Sequence, residues 1–180
     1  MEPGRALIEN AEKKLREASS SLEQMFERER MAFGDKEKFD FYLSGFLSAG
    51  MSVRGAFHIK RDRKRNEAVR KWKEDWEARL TPEERCLWGF MRLNRNDEVH
   101  STGSSRIVKT EEIKVGIGSS YSDKSGTLEV WGSPMAGPAV IHKPTWYFTI
   151  AGTDRKATEA CGEYLRLLEK MVAKFKADHA

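Results

Sequence analysis

The chain has 180 residues, of which 39% are hydrophobic, and a net charge of +4 from 32 Lys and Arg against 28 Asp and Glu. Nine Phe, five Trp and four Tyr supply enough core-forming side chains to exclude collagen-like, low-complexity and mostly disordered proteins. The only two cysteines, Cys86 and Cys161, have no metal-ligand spacing and cannot form a disulfide scaffold, which indicates two buried, reduced thiols.

No segment of the sequence is apolar enough to cross a membrane. The most apolar stretch, residues 39–57, contains Asp40, Arg54 and several Ser and Gly, so it falls short of the ~20 apolar residues that a span needs. The first residues lack the apolar core of a signal peptide. We therefore expect a cytoplasmic protein with no membrane partner.

Two amphipathic helices are predicted for the first third of the chain. Residues 5–31 and 36–60 carry apolar residues at steps of three and four, which define one helical face. These positions are Leu7, Ala11, Leu15, Ala18, Leu22 and Met25, then Phe39, Leu43, Phe46, Gly50, Val53 and Phe57. The adjacent face of the second helix holds Ser44, Gly45, Ser48 and Ala49. Such small residues would let another helix approach closely, in the same chain or in a second copy.

A basic segment follows the second helix. Residues 60–73 contain eight basic and two acidic side chains, so this stretch carries a charge of +6. Good helix formers continue to Arg79, which predicts a helix that either extends from residue 36 or is broken near 60–66.

Thr81-Pro82-Glu83-Glu84 marks the clearest helix start in the sequence. Thr at the N-cap, Pro at the first helical position and Glu at the third form a capping box with its preferred proline. The helix that begins here carries a run of apolar residues and is expected to end near His100.

Strands are predicted only after the Ser- and Gly-rich residues 101–105. Residues 106–117, 126–132 and 139–151 are rich in Ile, Val, Thr and aromatic side chains and are separated by turn-forming residues. This pattern is typical of a three-stranded antiparallel meander.

A last helix, about 155–177, is predicted after Thr153 and Asp154, which would cap it. The fold class is therefore α+β. We expect one domain, 1–180, that is mainly a helical bundle, with the β-meander inserted at about 106–151 before the last helix.

The segment Arg95-Asn96-Asp97-Glu98-Val99-His100 carries the side chains best suited to chemistry. Asn96 and His100 are four residues apart and share a helical face, whereas Arg95 lies about 140° around the helix from His100. The three can converge only if the helix ends or kinks here, or if a second chain completes the site. His acts as acid or base near neutral pH, Arg binds phosphate, and Asn can orient either one. The alternative is a polar helix end where His and Arg merely favour the negative dipole.

The same six residues resemble the Arg-Asn-x-x-x-His form of the motif of HEPN domains (higher eukaryotes and prokaryotes nucleotide-binding). These are small helical bundles, many of them ribonucleases, toxins or defence effectors, in which the motif precedes a final helix. The resemblance covers roughly residues 5–103 and 155–177, and the β-meander departs from the minimal fold. It implies that the 2′-hydroxyl of RNA attacks its own phosphate. Arg95, Asn96 and His100 would be catalytic, with no cofactor and no metal.

The basic segment is the second candidate site. Its functional interpretation is an electrostatic footprint for an RNA backbone, and the alternative is a solvated helix face. The residues concerned are Lys60, Arg61, Arg63, Lys64 and Arg65. Trp72 and Trp76 could stack on bases, but a helix-packing role is favoured. No cluster of His, Cys, Asp or Glu has zinc spacing, so no structural metal is expected.

These patterns predict a metal-independent endoribonuclease, and the alternative is a non-catalytic RNA- or nucleotide-binding regulatory module. One His per chain cannot readily take and give a proton in a single step, so we expect a homodimer. Residues 82–100 and 36–57 would lie at or near its interface. The sequence leaves open whether the protein is a toxin with a cognate antitoxin, a phage-defence effector or a housekeeping factor.

Overall fold

The computed structural model of the protein describes residues 3–31, 35–57, 63–100, 106–115, 120–123, 126–129 and 139–179. Its helices are α1 (Pro3–Arg30), α2 (Lys36–Gly55), α3 (Arg63–Ala78), α4 (Pro82–His100) and α5 (Ala157–His179). Its strands are β1 (Ile107–Val115), β2 (Ser120–Asp123), β3 (Gly126–Glu129), β4 (Ala139–Ile150) and β5 (Thr153–Lys156). The α+β class, a helical bundle with a small antiparallel sheet before the last helix, is confirmed.

The core lies between α1, α2 and α5, which pack against one another, and α4 closes it against α2, α5 and β4. The apolar faces predicted from periodicity are the buried ones, because helices of this length are stabilised mainly by the stripe that they bury. All six predicted apolar positions of α2 and its C-terminal extension are buried, as are Tyr164, Leu167, Met171 and Phe175 of α5.

Two glycines of α2 allow close packing within the chain. A Cβ atom on Gly45 would lie 3.2 Å from Oγ of Ser21 on α1, and one on Gly50 would lie 3.0 Å from Cε1 of Tyr164 on α5. These close approaches explain Gly45 and Gly50 by packing within the chain, and the place of α2 at or near a dimer interface stays a prediction.

The helix boundaries follow from their caps. The side chain of Asp35 accepts a hydrogen bond from the backbone N–H of Lys38 at the start of α2. Thr81 Oγ1 accepts from the backbone N–H of Glu84 at 3.2 Å, and Glu84 Oε2 accepts from the N–H of Thr81 at 3.0 Å, which confirms the capping box. This backbone hydrogen bond lowers the pKa of Glu84. Because α2 ends at Gly55 and α3 begins at Arg63, the chain follows the broken alternative.

The sheet contains three antiparallel strands in the order β1-β4-β5, but its third strand is not the predicted one. Residues 126–129 instead pair with β2 in a separate hairpin. Thr153 and Asp154 do not cap a helix, because they lie in β5 and pair with the end of β4. Ala151 (φ 51°) and Gly152 (φ 79°) form the tight turn between the strands, and two successive residues with positive φ match the twist of a hairpin.

One face of the sheet packs on the helices, and the other exposes Lys109, Glu111 and Thr149. Trp146 of β4 stacks on Phe39 of α2 with ring centres 4.0 Å apart, and Phe148 contacts Phe90 of α4. On the outer face, Nζ of Lys109 lies 2.8 Å from Oδ2 of Asp154, and this carboxylate raises the pKa of Lys109. The bundle and the sheet therefore share one core through β4.

Two further expectations concern membranes and thiols. Within the described ranges, no helix combines the length and the apolar character that crossing a membrane requires. Cys161 is buried, and burial raises its pKa well above the usual value. Cys86 is exposed, so the expectation of two buried thiols is wrong for it. It precedes the buried Leu87 and lies on the solvent side of α4.

Candidate functional site

The candidate site lies in the last two turns of α4, which is helical without interruption from Pro82 to His100. Its packed side is formed by Leu87, Trp88, Met91 and Asn94. Its exposed side carries Cys86, Leu93 (58% exposed) and Asn96, and a Cβ on Gly89 would meet no atom within 4 Å among the described residues. The motif therefore sits where one helix presents a packed side and an open side.

Arg95 lies at the edge of the packed side. It follows Met91 by four residues and Trp88 by seven, so its stem lies along the same helical line. Its side chain is half-buried, and its Nε atom is buried without a hydrogen-bond partner among the described residues. Because Nε itself is closed to solvent, a contact of Arg95 with an anionic group would have to come from the Nη groups of its guanidinium.

Asn96 and His100 lie on the other side of the helix. Asn96 is exposed, and His100 is the last residue of α4, one turn further along the same line. The side chain of His100 lies outside the described part of the chain. Because the backbone stays helical through His100, Arg95 remains about 140° away from it. A single chain thus does not bring all three together by ending the helix early, which leaves a second chain as the other way in which they could converge.

Two polar features beside the motif were not anticipated from the sequence. Asn94 is only 2% exposed, and its place three residues after the buried Met91 was a signal for a polar group in the core. Arg106, six residues after His100, forms an ion pair with Asp40 of α2 that ties the start of β1 to the bundle. That partner is 66 residues away in the chain, so no local pattern reveals it.

The predicted RNA-binding residues lie around the start of α3. Arg63 and Lys64 are exposed in its first turn. Arg65 belongs to the helix, but its side chain lies outside the described residues, as do Lys60 and Arg61 altogether. Further along, Arg70 is neutralised by ion pairs to Glu67 (2.5 Å) and Glu74 (2.9 Å) on the same helix. Arg63 and Lys64 are thus exposed cations at the beginning of α3, whereas the charge of Arg70 is balanced within the helix.

The two tryptophans of α3 pack helices together, which confirms the favoured interpretation. Trp72 contacts the rings of Phe57 and Phe175, and its Nε1 donates to Oδ2 of Asp178 at 2.8 Å. Trp76 is buried against Trp88, with ring centres 4.9 Å apart. Neither ring is free to stack on a base.

A small polar pocket of about 140 Å³ lies between α4, β5 and α5, at the opposite end of α4 from His100. Its lining residues pair with each other: Arg155 with Glu163 at 2.5 Å and Lys170 with Glu84 at 3.3 Å. At 1.5 Å per residue, the 16 residues from Glu84 to His100 correspond to about 24 Å along α4. Within the described ranges, no group of three or more His, Cys, Asp or Glu could hold a metal ion.

Comparison with protein-family models, with curated proteins and with solved structures finds no match to this chain. The chemistry of the site therefore has to be inferred from its own residues. These are Arg95, Asn96 and His100 on α4 and the exposed cations at the start of α3.

Proposed function

We propose that the protein is a metal-independent endoribonuclease of the HEPN type that acts on RNA in the cytoplasm as a homodimer. The observation that carries this proposal is the end of α4. Exposed Asn96 lies one turn before His100 there, and the half-buried Arg95 directly precedes Asn96. Within six consecutive residues, His100 can thus transfer a proton, Asn96 can orient the reacting groups and Arg95 can bind phosphate.

The proposed reaction breaks the bond between phosphorus and the 5′-oxygen. The 2′-hydroxyl of RNA loses its proton and attacks the adjacent phosphate, and the 5′-oxygen leaves with a proton, which gives a cyclic phosphate and a 5′-hydroxyl. His100 serves as the base or the acid. Arg95 stabilises the negative charge that grows on the phosphate, and Asn96 orients the reacting groups.

In the proposed homodimer, the second chain supplies the His and Arg side chains that one chain does not bring together. One His cannot both accept and donate a proton in a single step, and Arg95 points away from the side of Asn96 and His100 on one helix. A twofold axis near the end of α4 would supply a second His and a second Arg to the same cleft. The homodimer is therefore part of the proposal.

The beginning of α3 supports a nucleic-acid substrate. Arg63 and Lys64 are exposed there, in contrast to Arg70, whose charge is balanced within its own helix. Exposed cations attract phosphates of any sequence, so this surface would give affinity without specificity.

The direct test is cleavage of labelled RNA in the presence of EDTA. The wild-type protein should cleave, and His100→Ala should not. His142→Ala is the matched control, because His142 is an exposed histidine of β4, and it should cleave as the wild type does. Loss of cleavage in EDTA, or full activity of His100→Ala, would contradict the proposal.

The second candidate is a non-catalytic RNA-binding module. It is favoured by the separation of Arg95 from His100 around one helix, because a monomer could then bind a phosphate without completing the reaction. Retarded but intact RNA with every variant would identify this function.

A cellular role as toxin or defence effector, with or without a cognate antitoxin, would be consistent with such an activity. Expression of the wild-type chain should then arrest growth, and expression of His100→Ala should not. Growth unaffected by the wild-type chain would favour a housekeeping or regulatory role.

A further inference from the structure

β1 is an edge strand whose described side chains are all exposed. In the described residues the sheet order is β1-β4-β5, so β1 has a neighbour on one side only. It is nine residues long, and every one of its described side chains, from Ile107 to Glu112, is exposed. Ile107 and Val108 are 43% and 42% exposed. An edge of this length offers backbone donors and acceptors to another strand.

We propose that β1 pairs antiparallel with β1 of a second copy, around a twofold axis that passes through Thr110 perpendicular to the sheet. Opposed residues in such a pair point to the same face. The axis sets Thr110 opposite itself and Lys109 opposite Glu111 of the second copy, twice by symmetry. It also sets Ile107 opposite Ile113. The strand is thus complementary to itself in charge and in apolar character.

Neighbouring registers lack this complementarity. An axis at Lys109 would place two lysines opposite each other, and an axis at Glu111 would place two glutamates opposite each other, both of which are unfavourable. At Thr110 the opposite face pairs Val108 with Glu112, which involves no like charges. Of these three neighbouring axes, the sequence of β1 therefore favours the one through Thr110.

The charges concerned already belong to a network on the outer face of the sheet. Lys109 lies 2.8 Å from Asp154 and 4.8 Å from the ring centre of Tyr147. Glu111 lies 3.5 Å from the hydroxyl of Tyr147 and 3.9 Å from Nζ of Lys156. Pairing across the axis would join two such networks side by side, and networks of charges contribute more than isolated surface pairs.

The pairing would produce a continuous six-stranded sheet with the helix-packed faces on the same side. α4 contacts that face through Phe90 and Phe148, and β1 follows α4 in the chain. The C-terminal ends of both copies of α4 would therefore lie on one side of the assembly. The inference deepens the proposed function by naming where two chains meet, but the pairing itself requires no RNA chemistry.

Charge reversal provides the test. Lys109→Glu sets Glu opposite Glu111, and Glu111→Lys sets Lys opposite Lys109, so each variant alone should raise the dissociation constant of the dimer about tenfold or more. In a mixture of the two variants every opposed pair is again of opposite charge. The mixture should therefore associate as the wild type does, measured by sedimentation velocity over a range of concentrations. The control is Lys13→Glu, which reverses the charge of an exposed lysine on α1. This variant should associate as the wild type does.

A second variant tests the axis without changing any charge. In a Cys86→Ser background, which removes the exposed native thiol, Thr110→Cys sets two thiols opposite each other within reach of a disulfide. Mild oxidation should link the copies much faster than it links Ser20→Cys, a control at an exposed position of α1.

The outcomes separate this inference from the proposed function. Wild-type association of both charge variants, a mixture that stays dissociated, or no faster linkage at residue 110 would overturn the β1 pairing. RNA cleavage by a dimer that survives these changes would leave the ribonuclease proposal standing. Loss of the dimer with restoration in the mixture supports the interface even if no RNA is cleaved.

Discussion

The guanidinium carbon of Arg54 lies 4.2 Å from the ring centre of Trp88, and both side chains bind the same carboxylate oxygen of Glu77. Nη2 of Arg54 donates to it at 3.1 Å and Nε1 of Trp88 at 2.9 Å. Only 13% of the Arg54 side chain is exposed. This contact joins α2, α3 and α4, and Lys73 adds to it by donating to the backbone carbonyl of Arg54. Burial of Lys73 lowers its pKa.

Replacement of Glu77 should therefore weaken the attachment of α3. Glu77→Ala leaves two largely buried donors without an acceptor, and the expected loss is about 1 to 2 kcal/mol because the carboxylate is itself partly solvated. Glu74→Ala, on the same helix, removes only an exposed contact to Arg70 and should leave stability unchanged. Urea unfolding of both variants checks this, and equal stability of the two would refute it.

The close approach of α2 and α5 makes a second prediction. Gly50→Ala places a Cβ 3.0 Å from the ring of the buried Tyr164, so overpacking should destabilise the protein by about 1 to 3 kcal/mol. In Gly89→Ala the new Cβ meets no atom within 4 Å among the described residues. This change in α4 should stabilise the protein by about 0.5 to 1 kcal/mol, the helix propensity of Ala over Gly. Thermal unfolding should show shifts of opposite sign. A shift in the same direction would mean that α2 and α5 do not pack as described.

Because Tyr164 is buried, the stability of the protein should fall as the pH rises in the alkaline range. Burial raises its pKa to about 12, whereas an unfolded tyrosine ionises near pH 10. The stability that this difference provides is complete below pH 10 and is lost as the pH rises towards 12, because the unfolded chain releases its proton first. Near pH 11 the loss should be about 1 kcal/mol. Tyr164→Phe should not show this part of the loss, and Tyr147→Phe on the outer face should retain it. Urea unfolding near pH 9 and near pH 11 measures both.

The composite site can be tested by complementation. Arg95→Ala and His100→Ala should each abolish RNA cleavage while dimerisation and melting temperature stay nearly unchanged. Arg95 is half-buried at the edge of the packed side, so its loss opens no cavity inside the core. When the two inactive variants are mixed and exchange chains, part of the activity should return if each cleft takes Arg from one chain and His from the other. A monomeric form that cleaves as fast as the dimer would rule out the composite site. A mixture that stays inactive would instead mean that turnover needs both histidines.

The basic segment should control the salt dependence of RNA binding. Replacement of Arg61, Arg63, Lys64 and Arg65 together by Gln should weaken binding to all sequences. It should also reduce the salt slope by about one unit or less per lost phosphate contact. The control replaces four exposed basic residues elsewhere, Lys13, Arg16, Lys36 and Arg166, and should change the slope far less. Equal effects in titrations by fluorescence anisotropy would assign the affinity to net charge alone.

Some features of the candidate site can be predicted from the sequence and others cannot. The helical position of Asn96 and His100 on one side of α4 follows from their spacing, which depends only on the geometry of a helix. The half-buried setting of Arg95 and the burial of Asn94 do not follow, because they depend on which neighbours cover that side of the helix. The proposed chemistry itself rests on the motif and its resemblance, and the experiments above decide it.

The sequence by itself determined the helices, their buried faces and the capping box at Thr81, because periodicity and caps are local properties of a few turns. Only the tertiary structure decided that Thr153 and Asp154 form a strand, since the turn at Ala151 and Gly152 is stabilised by the pairing of β5 with β4. The tertiary structure likewise decided that Gly45 and Gly50 serve contacts within the chain. Such pairings join residues far apart in sequence, and their energies depend on neighbours that no local pattern specifies.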